Sequence, residues 1–536
     1  MFSRFFRRLT CTDTSAFMYR RAPSLRRVSR NNSPNNVSSS ANAASNFGGV
    51  GGDQTRKAGV VEAKYDPTTK GFEILDPDPI NQTVIRPSVN IPVPRLEHGL
   101  EIVLQQSGVF PLQLDDARYQ FPPYLKHIVQ PDKIDFNAVP PFVTSSRDPA
   151  LHSLAVANNS RYKGSTSSVT SILAQLYFLL TNFKTTHTDC LSPEFSNMTC
   201  AFTRATTKPV CVFLRPFEGI YAIDSGPSAI PPKNQILLEL GKSMEKMLTL
   251  TEVEFKDRML LRQGQDSYVP GAEAYNFMKV GSLMLRSQID CQDGKNNSFD
   301  LKTRALSAIR YDVQNYMVHR GTKIRRIRGR TLSFEREFYD MIRSVFLKYS
   351  FQVRIGRMHG VFITYHNTDE VFGFEYVTLP EIDSCVFGSH DFGNRCFDVC
   401  MKLMSVLLDH VVADLGKDHR SIRIVMGNDR ARKELVVFAE KMERDYGWVE
   451  DKSNITNADL VEITGEVTQY SLRVDSEVNG TFLNKYTSMN VLDAKDDMNV
   501  FYRIHKEDHS ELNPKLRAQY LTWLRRSIFF DDDVDF

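Results

Sequence analysis

The stretch "RSQIDCQDGKNNSFDLKTRA", residues 286–305, restricts the possible folds most sharply. Two apolar–polar runs flank a loop of Gly, Asn and Ser, the pattern of a β-hairpin. Side chains alternate along a strand, so Asp300 and Lys302 share one face while Leu301 points into the core. If the runs close symmetrically about Lys295, Asp290 stands opposite Asp300. Directly opposed like charges destabilise a sheet, within the roughly 0.2–1 kcal/mol typical of cross-strand pairs. A divalent cation removes that repulsion, and two carboxylates with water oxygens suit Mg²⁺ or Mn²⁺ rather than zinc. Lys302, beside a bound water and a phosphate, would orient the attacking water and balance developing charge. The set is a compact kit for phosphodiester hydrolysis. The plain alternative is a surface hairpin with a salt bridge, since D-x-K is a common spacing.

The neighbouring segments place this hairpin in a mixed α/β protein. Upstream, "KGSTSSVTSILAQLYFLLTNF" (163–183) predicts a buried helix capped by Ser165–Ser168; a plain cap is preferred there to an anion site. Strand-like "KPVCVFLRPFEGIYAID" (208–224) follows. After Pro231 and Pro232 comes the helix "KNQILLELGKSMEKMLTL", with Leu237, Leu238, Gly241, Met244 and Leu248 on its expected inner side. Glu245 falls on that side too, a costly place for a carboxylate unless it is paired or metal-bound. Glu239, Lys242 and Lys246 fall on the outer face. Beyond the hairpin, Ser333 caps "FEREFYDMIRSVFLKY", whose Phe334, Phe338, Met341, Val345 and Tyr349 form an inward stripe. Next are expected a long strand "FQVRIGRMHGVFITYHN", a strand around "VFGFEYVTL", a helix near 396–415, the strand "SIRIVMG", a helix "RARKELVVFAEKMERDYG" and strands between 460 and 485.

The ends differ from this middle. Residues 1–33 carry eight Arg and one acid, Asp13, among Ser, Thr and aromatics, which fits a mitochondrial presequence better than a secretory signal or a basic nucleic-acid-binding tail. Residues 1–60 hold ten Lys and Arg against two Asp, a net +8; subtracting this from the chain's +3 leaves −5. Bulk charge therefore does not mark the remainder as a nucleic-acid binder, and any such surface must be local. Residues 34–74 read as a linker poor in apolar residues, 75–160 as a proline-rich extended arm packed on the core, and "FFDDDVDF" as a solubilising acidic tail. The longest apolar run, "SILAQLYFLL", is too short to span a bilayer. Eight scattered cysteines form no dense framework; Cys385, His390, Cys396 and Cys400 can be drawn as a zinc site, but their spacing matches no standard pair.

With "GSLMLRSQIDCQD" and "SFDLKTRALSAIRYD" laid out, the chain resembles the PD-(D/E)xK nuclease superfamily, in its RecB-like and lambda-exonuclease-like branch. That likeness implies a nuclease-like core over 161–395, a mixed central sheet flanked by helices, with large elaborations before it and an α/β extension over 396–536. It also implies metal held by Asp290, Asp300, the Leu301 backbone carbonyl and Glu245, with Lys302 catalytic. A following helix usually offers a Gln and a Tyr four apart. Glu335 and Tyr339 stand at that spacing here, and Ile289 replaces the proline that names the motif. Co-linear segments from about 95 to 525, among them "LGKSMEKMLTL" and "FEREFYDMIRSVFLKYSFQVRIGRMHGVFITYHN", further resemble the fungal mitochondrial Pet-one-two-seven family. This second resemblance implies a matrix protein, associated with the inner membrane, acting in 5′-end processing and degradation of mitochondrial RNA.

Arg304 and Arg310 follow Lys302 and could hold phosphates. Lys323, Arg325, Arg326, Arg328 and Arg330 form the densest basic cluster outside the presequence, and Arg354 and Arg357 could extend it. The leading expectation is thus a Mg²⁺- or Mn²⁺-dependent 5′→3′ exoribonuclease. The competing readings are a non-catalytic RNA-binding scaffold with a nuclease-like fold, and a DNA exonuclease.

Overall fold

A computed structural model describes residues 70–86, 91–115, 118–230, 232, 234–261, 267–445, 455–483, 489, 495–508 and 514–529. The presequence, nearly all of the expected linker and residues 530–536 of the acidic tail lie outside the described residues.

Two sheets organise the chain. Among the described residues the larger has twelve strands, and in it Tyr162–Ser165 runs parallel to Ile220–Ser225 on one side and to Leu283–Gln288 on the other. Beyond Ile220–Ser225 it continues antiparallel through Val210–Phe217, Ile422–Asp429, Glu434–Lys441, Glu466–Val478 and Met498–Lys506. Helix Thr166–Thr181 is buried on nearly every face, its Ser168, Thr170, Gln175 and Thr181 included. Its Ile172, Leu176 and Leu180 join the main core with Leu403, Leu407 and Val411 of helix His390–Leu415.

The smaller, mixed sheet runs in the order Gly108–Pro111, Val371–Thr378, Gly360–His366, Ser298–Ala305, Cys291–Gln292. Ser298–Ala305 is parallel to Gly360–His366, and the other pairings are antiparallel. Helix Gln235–Thr249 covers one face: its Leu240, Met244 and Leu248 share a core with Phe299, Leu301 and Phe362 and with Leu100, Val103 and Phe110 of the proline-rich arm. Segment 75–160 also contributes strand Gln82–Ile85 to the larger sheet and strand Gly108–Pro111 to the smaller.

The hairpin's expected register is present, Cys291 opposite Phe299 and Gln292 opposite Ser298. Its first run is not one strand, however. Leu283–Gln288 belongs to the larger sheet and Cys291–Gln292 to the smaller, so the chain crosses between sheets at Ile289 and Asp290.

Three further expectations are corrected. "FQVRI" alternates apolar and polar residues like a strand, yet it lies in helix Phe346–Gly356. Phe346, Leu347, Ser350, Phe351 and Val353 are buried at helical spacing, and tertiary packing overrides β-propensity. Conversely, "RARKELVVFAEK" forms strand Glu434–Lys441, because its LVVFA run pairs with Ile422–Asp429 and Glu466–Val478 on both edges. The boundary expected at 395/396 falls inside helix His390–Leu415, and the strands after it complete the larger sheet rather than an extension. Among the described residues no helix is long and apolar enough to cross a membrane.

Candidate active site

A groove of about 1000 Å³ opens between helix Gln235–Thr249, strand Ser298–Ala305, helix Phe346–Gly356 and the N-terminus of helix Thr166–Thr181. Asp290, Asp300, Leu301, Lys302 and Glu245 all line it. Asp290 arrives from the sheet-to-sheet crossing, and its Oδ2 accepts from the Leu301 backbone N–H at 2.9 Å. That bond fixes the carboxylate against the opposite strand. Lys302 Nζ lies 2.5 Å from Asp300 Oδ2, 3.8 Å from Asp290 Oδ2 and 3.3 Å from the Leu301 carbonyl oxygen. One ammonium thus faces both carboxylates and the carbonyl expected to hold metal.

Asp300 is buried, and burial pushes its carboxyl well above the usual range; Lys302 opposes the shift and Asp290 adds to it. Burial alone would pull Lys302 down, but the Asp300 and Asp290 carboxylates outweigh it and hold the ammonium above its ordinary value. Glu245 is pushed up to about 7 by burial, Asp290 and Glu273, against the pull of Lys246. Lys246 bonds Glu245 at 3.1 Å and approaches Glu273 at 3.6 Å. Within this cluster the four acids Glu245, Glu273, Asp290 and Asp300 meet two lysines, Lys246 and Lys302.

The donors fit a hard divalent cation. Asp300 Oδ2 is buried with no hydrogen bond of acceptable geometry, despite the nearby ammonium, and every oxygen facing Lys302 is a carboxylate or a carbonyl. Among the described residues no three His, Cys, Asp or Glu side chains close into a metal-holding group. The set is two carboxylates and a carbonyl, with Glu245 beside it rather than a third arm of a cage.

Helix Gln235–Thr249 turns its faces differently from the expected pattern. Leu240, Met244, Met247 and Leu248 are buried, whereas Leu237, Leu238, Gly241 and Glu245 line the groove, and Leu238 is exposed. The apolar stripe predicted as one core face is split between core and groove wall. Lys242 lines the groove as well, not the outer face.

Glu335 and Tyr339 do not reach the groove. Glu335 accepts from Ser192 N, Ser192 Oγ and Gly329 N at 2.6, 3.0 and 2.7 Å, and Tyr339 Oη donates to the Thr199 carbonyl at 2.7 Å. Both pin the 192–199 loop. Their expected place is taken by the next helix. Gln352 Nε2 donates to Asp300 Oδ1 at 3.0 Å, and the Tyr349 ring lies 6.0 Å from Lys302 Nζ. The sequence reading puts Tyr349 in the inward stripe of one helix and Gln352 in a following strand, whereas a single helix sets these residues, three apart, side by side.

The basic residues separate into two groups. Arg304 and Arg310 line the groove, where Glu337 lies 3.4 Å from Arg304 and 2.7 Å from Arg310, and Asp340 lies 2.9 Å from Arg310. Arg304 Nε and Nη2 are buried without hydrogen-bond partners. Lys348, not singled out from sequence, is exposed on the same wall. The second group lies outside the groove lining. Arg325, Arg326, Arg328 and Arg330 are exposed, and Lys323 pairs with Glu370 at 2.8 Å. Arg354 is not a surface cation: it is held by Asp383 at 2.7 Å and by Ser350 and Asn394. Arg357 is exposed and ends its helix in the left-handed conformation.

The zinc drawing fails among the described residues. Cys396 and Cys400 are core thiols pushed up by burial, Cys385 Sγ lies 3.7 Å from Cys190 Sγ, and His390 Nδ1 meets Asp383.

The fold and site define a mixed α/β protein with an acid–lysine centre on a groove wall. Residues 142–409 match the family model "Mitochondrial protein Pet127", half of the chain. The chain is 32% identical over 378 residues to the "mRNA degradation protein pet127, mitochondrial" of Schizosaccharomyces pombe, covering 67% of this chain and 71% of that protein. It is 31% identical over 381 residues to the "Putative mitochondrial translation system component PET127" of Saccharomyces cerevisiae, covering 65% of this chain and 45% of that protein. The chain belongs to the Pet127 family, a family of mitochondrial proteins, in agreement with its sequence motifs and basic N-terminus. Solved structures similar to it include Candida albicans Rai1 in complex with pU5-Mn²⁺ (13% identity, 73% of this chain and 98% of that one, TM-score 0.33). Another is K. lactis Dxo1 in complex with manganese (8% identity, 63% and 80%, TM-score 0.31).

Proposed function

We propose that the protein is a Mg²⁺- or Mn²⁺-dependent 5′→3′ exoribonuclease that processes and degrades RNA in the mitochondrial matrix. The observation that carries this reading is the convergence of Asp290, Asp300 and Lys302 on one groove wall, with Gln352 fixing Asp300. A relative named as an mRNA degradation protein supports RNA as substrate. Asp290, Asp300 and the Leu301 carbonyl would hold the cation, with Glu245 beside them. The bound ion would supply Lewis-acid polarisation of a phosphoryl oxygen and a water made acidic enough to attack. Lys302 is long enough to leave the carboxylates for the reacting phosphate, where its charge opposes the charge that develops in the transition state. Gln352 keeps Asp300 aimed into the groove. Arg304, Arg310 and Lys348 take backbone phosphates along the wall, and exposed Arg325, Arg326, Arg328 and Arg330 extend the track outside it.

RNA labelled separately at each end, carrying a 5′-monophosphate, tests the proposal. Loss of the 5′ label as mononucleotide with Mg²⁺, abolished in Asp300→Asn and Lys302→Ala, is expected. Equal behaviour of the wild type and both variants excludes hydrolysis at this site. One observation favours the scaffold reading: Lys302 already neutralises part of the carboxylate pair, and no third side chain closes the set. Absence of Mn²⁺ binding that depends on Asp290 or Asp300, by calorimetry, would select it.

A further inference from the structure

We infer that a second pocket, adjoining the groove, receives the base of the RNA's 5′-terminal nucleotide, whose 5′-phosphate sits at the N-terminus of helix Thr166–Thr181. This rests on the ribonuclease reading above and adds to it a subsite for the terminal nucleoside.

The pocket has a volume of about 420 Å³, within the roughly 300–1,000 Å³ of small-molecule sites. Phe142, Ser165 and Ser167 line both it and the groove, so the two cavities meet at the start of a 16-residue helix. Ser165 and Ser168 form a capping box at this end, and the remaining first-turn backbone N–H groups lack intrahelical acceptors and favour an anion there. The Ser165 and Ser167 hydroxyls, 2.7 Å apart, stand at the same point.

Inside the pocket both cations are already paired. Arg215 pairs with Asp224 and Asp445, each at 2.7 Å, and Arg423 is bonded to Glu440 and to the Tyr520 hydroxyl. Asp459, held by hydrogen bonds from Thr456, adds a carboxylate to the lining, so the walls are polar with no surplus positive charge, which suits an uncharged heteroaromatic group rather than a second phosphate. Ser145 points to the same conclusion. It is 1% exposed in this wall, and its hydroxyl has no hydrogen-bond partner. A buried hydroxyl left without a partner is destabilising, and the nitrogen or oxygen edge of a base supplies the missing partner. At the junction of the cavities Phe142 is 66% exposed, a free aromatic face where a base would enter. Aromatic stacking accepts every base, so this subsite predicts little sequence preference.

Titration calorimetry on the full chain tests the pocket with adenosine 5′-monophosphate and ribose 5-phosphate as probes. The nucleotide should bind about tenfold more tightly, the scale of one base–aromatic stack. Phe142→Ala should bring the ratio near one while leaving ribose 5-phosphate binding unchanged. Ile230→Trp, at an exposed position of the same lining, should narrow the pocket and act likewise. Equal binding of the two probes to the wild type overturns the inference, as does a preference that survives both substitutions. Asp300→Asn separates the two proposals, because it should lose hydrolysis and keep the preference. A wild type that prefers the nucleotide but hydrolyses no RNA sinks the nuclease reading alone; hydrolysis without the preference sinks the pocket alone.

Discussion

Two acid-rich regions lie back to back in this protein and use their carboxylates in opposite ways. Around helix Phe334–Ser344, each buried acid has donors aimed at it: Glu335 accepts three hydrogen bonds, Glu337 accepts from Ser307 N and Arg310, and Asp340 from Arg310, Tyr311 and Arg336. There, burial raises the Asp340 carboxyl but the surrounding guanidiniums bring it below its usual range. In the groove, Glu245, Asp290 and Asp300 face one another, and burial with mutual repulsion pushes Glu245 and Asp300 up. A buried acid surrounded by donors belongs to the fold, whereas a buried acid facing acids stores repulsion that a cation or a proton relieves.

The largest expected effect comes from the groove. Asp300→Asn should lower single-turnover cleavage of 5′-monophosphorylated RNA by about 10³-fold or more, since it removes a ligand and the partner of Lys302 together. Its thermal midpoint should stay at the wild-type value or rise, because an amide in that place no longer faces Asp290. The region behind the groove should respond in reverse. Glu335→Gln turns an NH₂ toward groups that are all donors, and should destabilise the fold by about 2–4 kcal/mol in urea unfolding. The fraction that remains folded should cleave RNA normally. If Asp300→Asn unfolds the protein while Glu335→Gln does not, the contrast between the two regions is wrong.

This contrast also explains what was legible in the sequence. Asp290, Asp300 and Lys302 could be placed because alternation along a strand and symmetry about a loop are local properties. The match survived even though the first run is divided between two sheets, since the register is set within 291–299. Gln352 was not legible as a site residue, because it stands in an alternating stretch, and Tyr349 was legible only as an inward helix residue; their helix reaches the site from about 50 residues away. Glu335 looked like a site residue on spacing alone; only the 192–199 loop, whose position no local pattern encodes, shows it to be structural. The larger sheet was visible as separate strands. Its continuation past residue 396 was not, because pairing between Val210–Phe217 and Ile422–Asp429 spans 200 residues of chain.

Glu245 gives a pH test of intermediate size. Its carboxyl is raised from 4.5 to about 7 in the folded state, so between those values the folded chain keeps a proton that the unfolded chain has released. Stability of the metal-free protein should therefore fall as pH rises from 4.5 to 7 and level off above. Glu245→Gln should flatten that slope. Mn²⁺ binding should show the reverse trend, strengthening toward pH 8 by up to about tenfold per unit below 7, because the cation favours the ionised acid. Calorimetry at pH 6, 7 and 8 on both proteins measures it. A Mn²⁺ affinity independent of pH in the wild type would remove Glu245 from the site.

The smallest effect distinguishes the groove's own cations from the paired ones. Lys348 is exposed on the groove wall with no ion pair among the described residues; Lys323 meets Glu370, and Arg354 is held by Asp383. A groove cation that no acid compensates gains most from a phosphate. Lys348→Ala should therefore weaken binding of a single-stranded RNA by a few fold and reduce the salt slope by about one, uniformly across sequences. Lys323→Ala, which releases Glu370 as it removes a charge, should change the slope less. Arg354→Ala should leave the slope unchanged and instead lower stability by about 3–5 kcal/mol, since it strands the buried Asp383 carboxylate. Fluorescence anisotropy over a salt series orders the three. If Lys323→Ala shifts the slope more than Lys348→Ala does, RNA follows the exposed basic run rather than the groove, and the acid–lysine wall is not where the backbone lies.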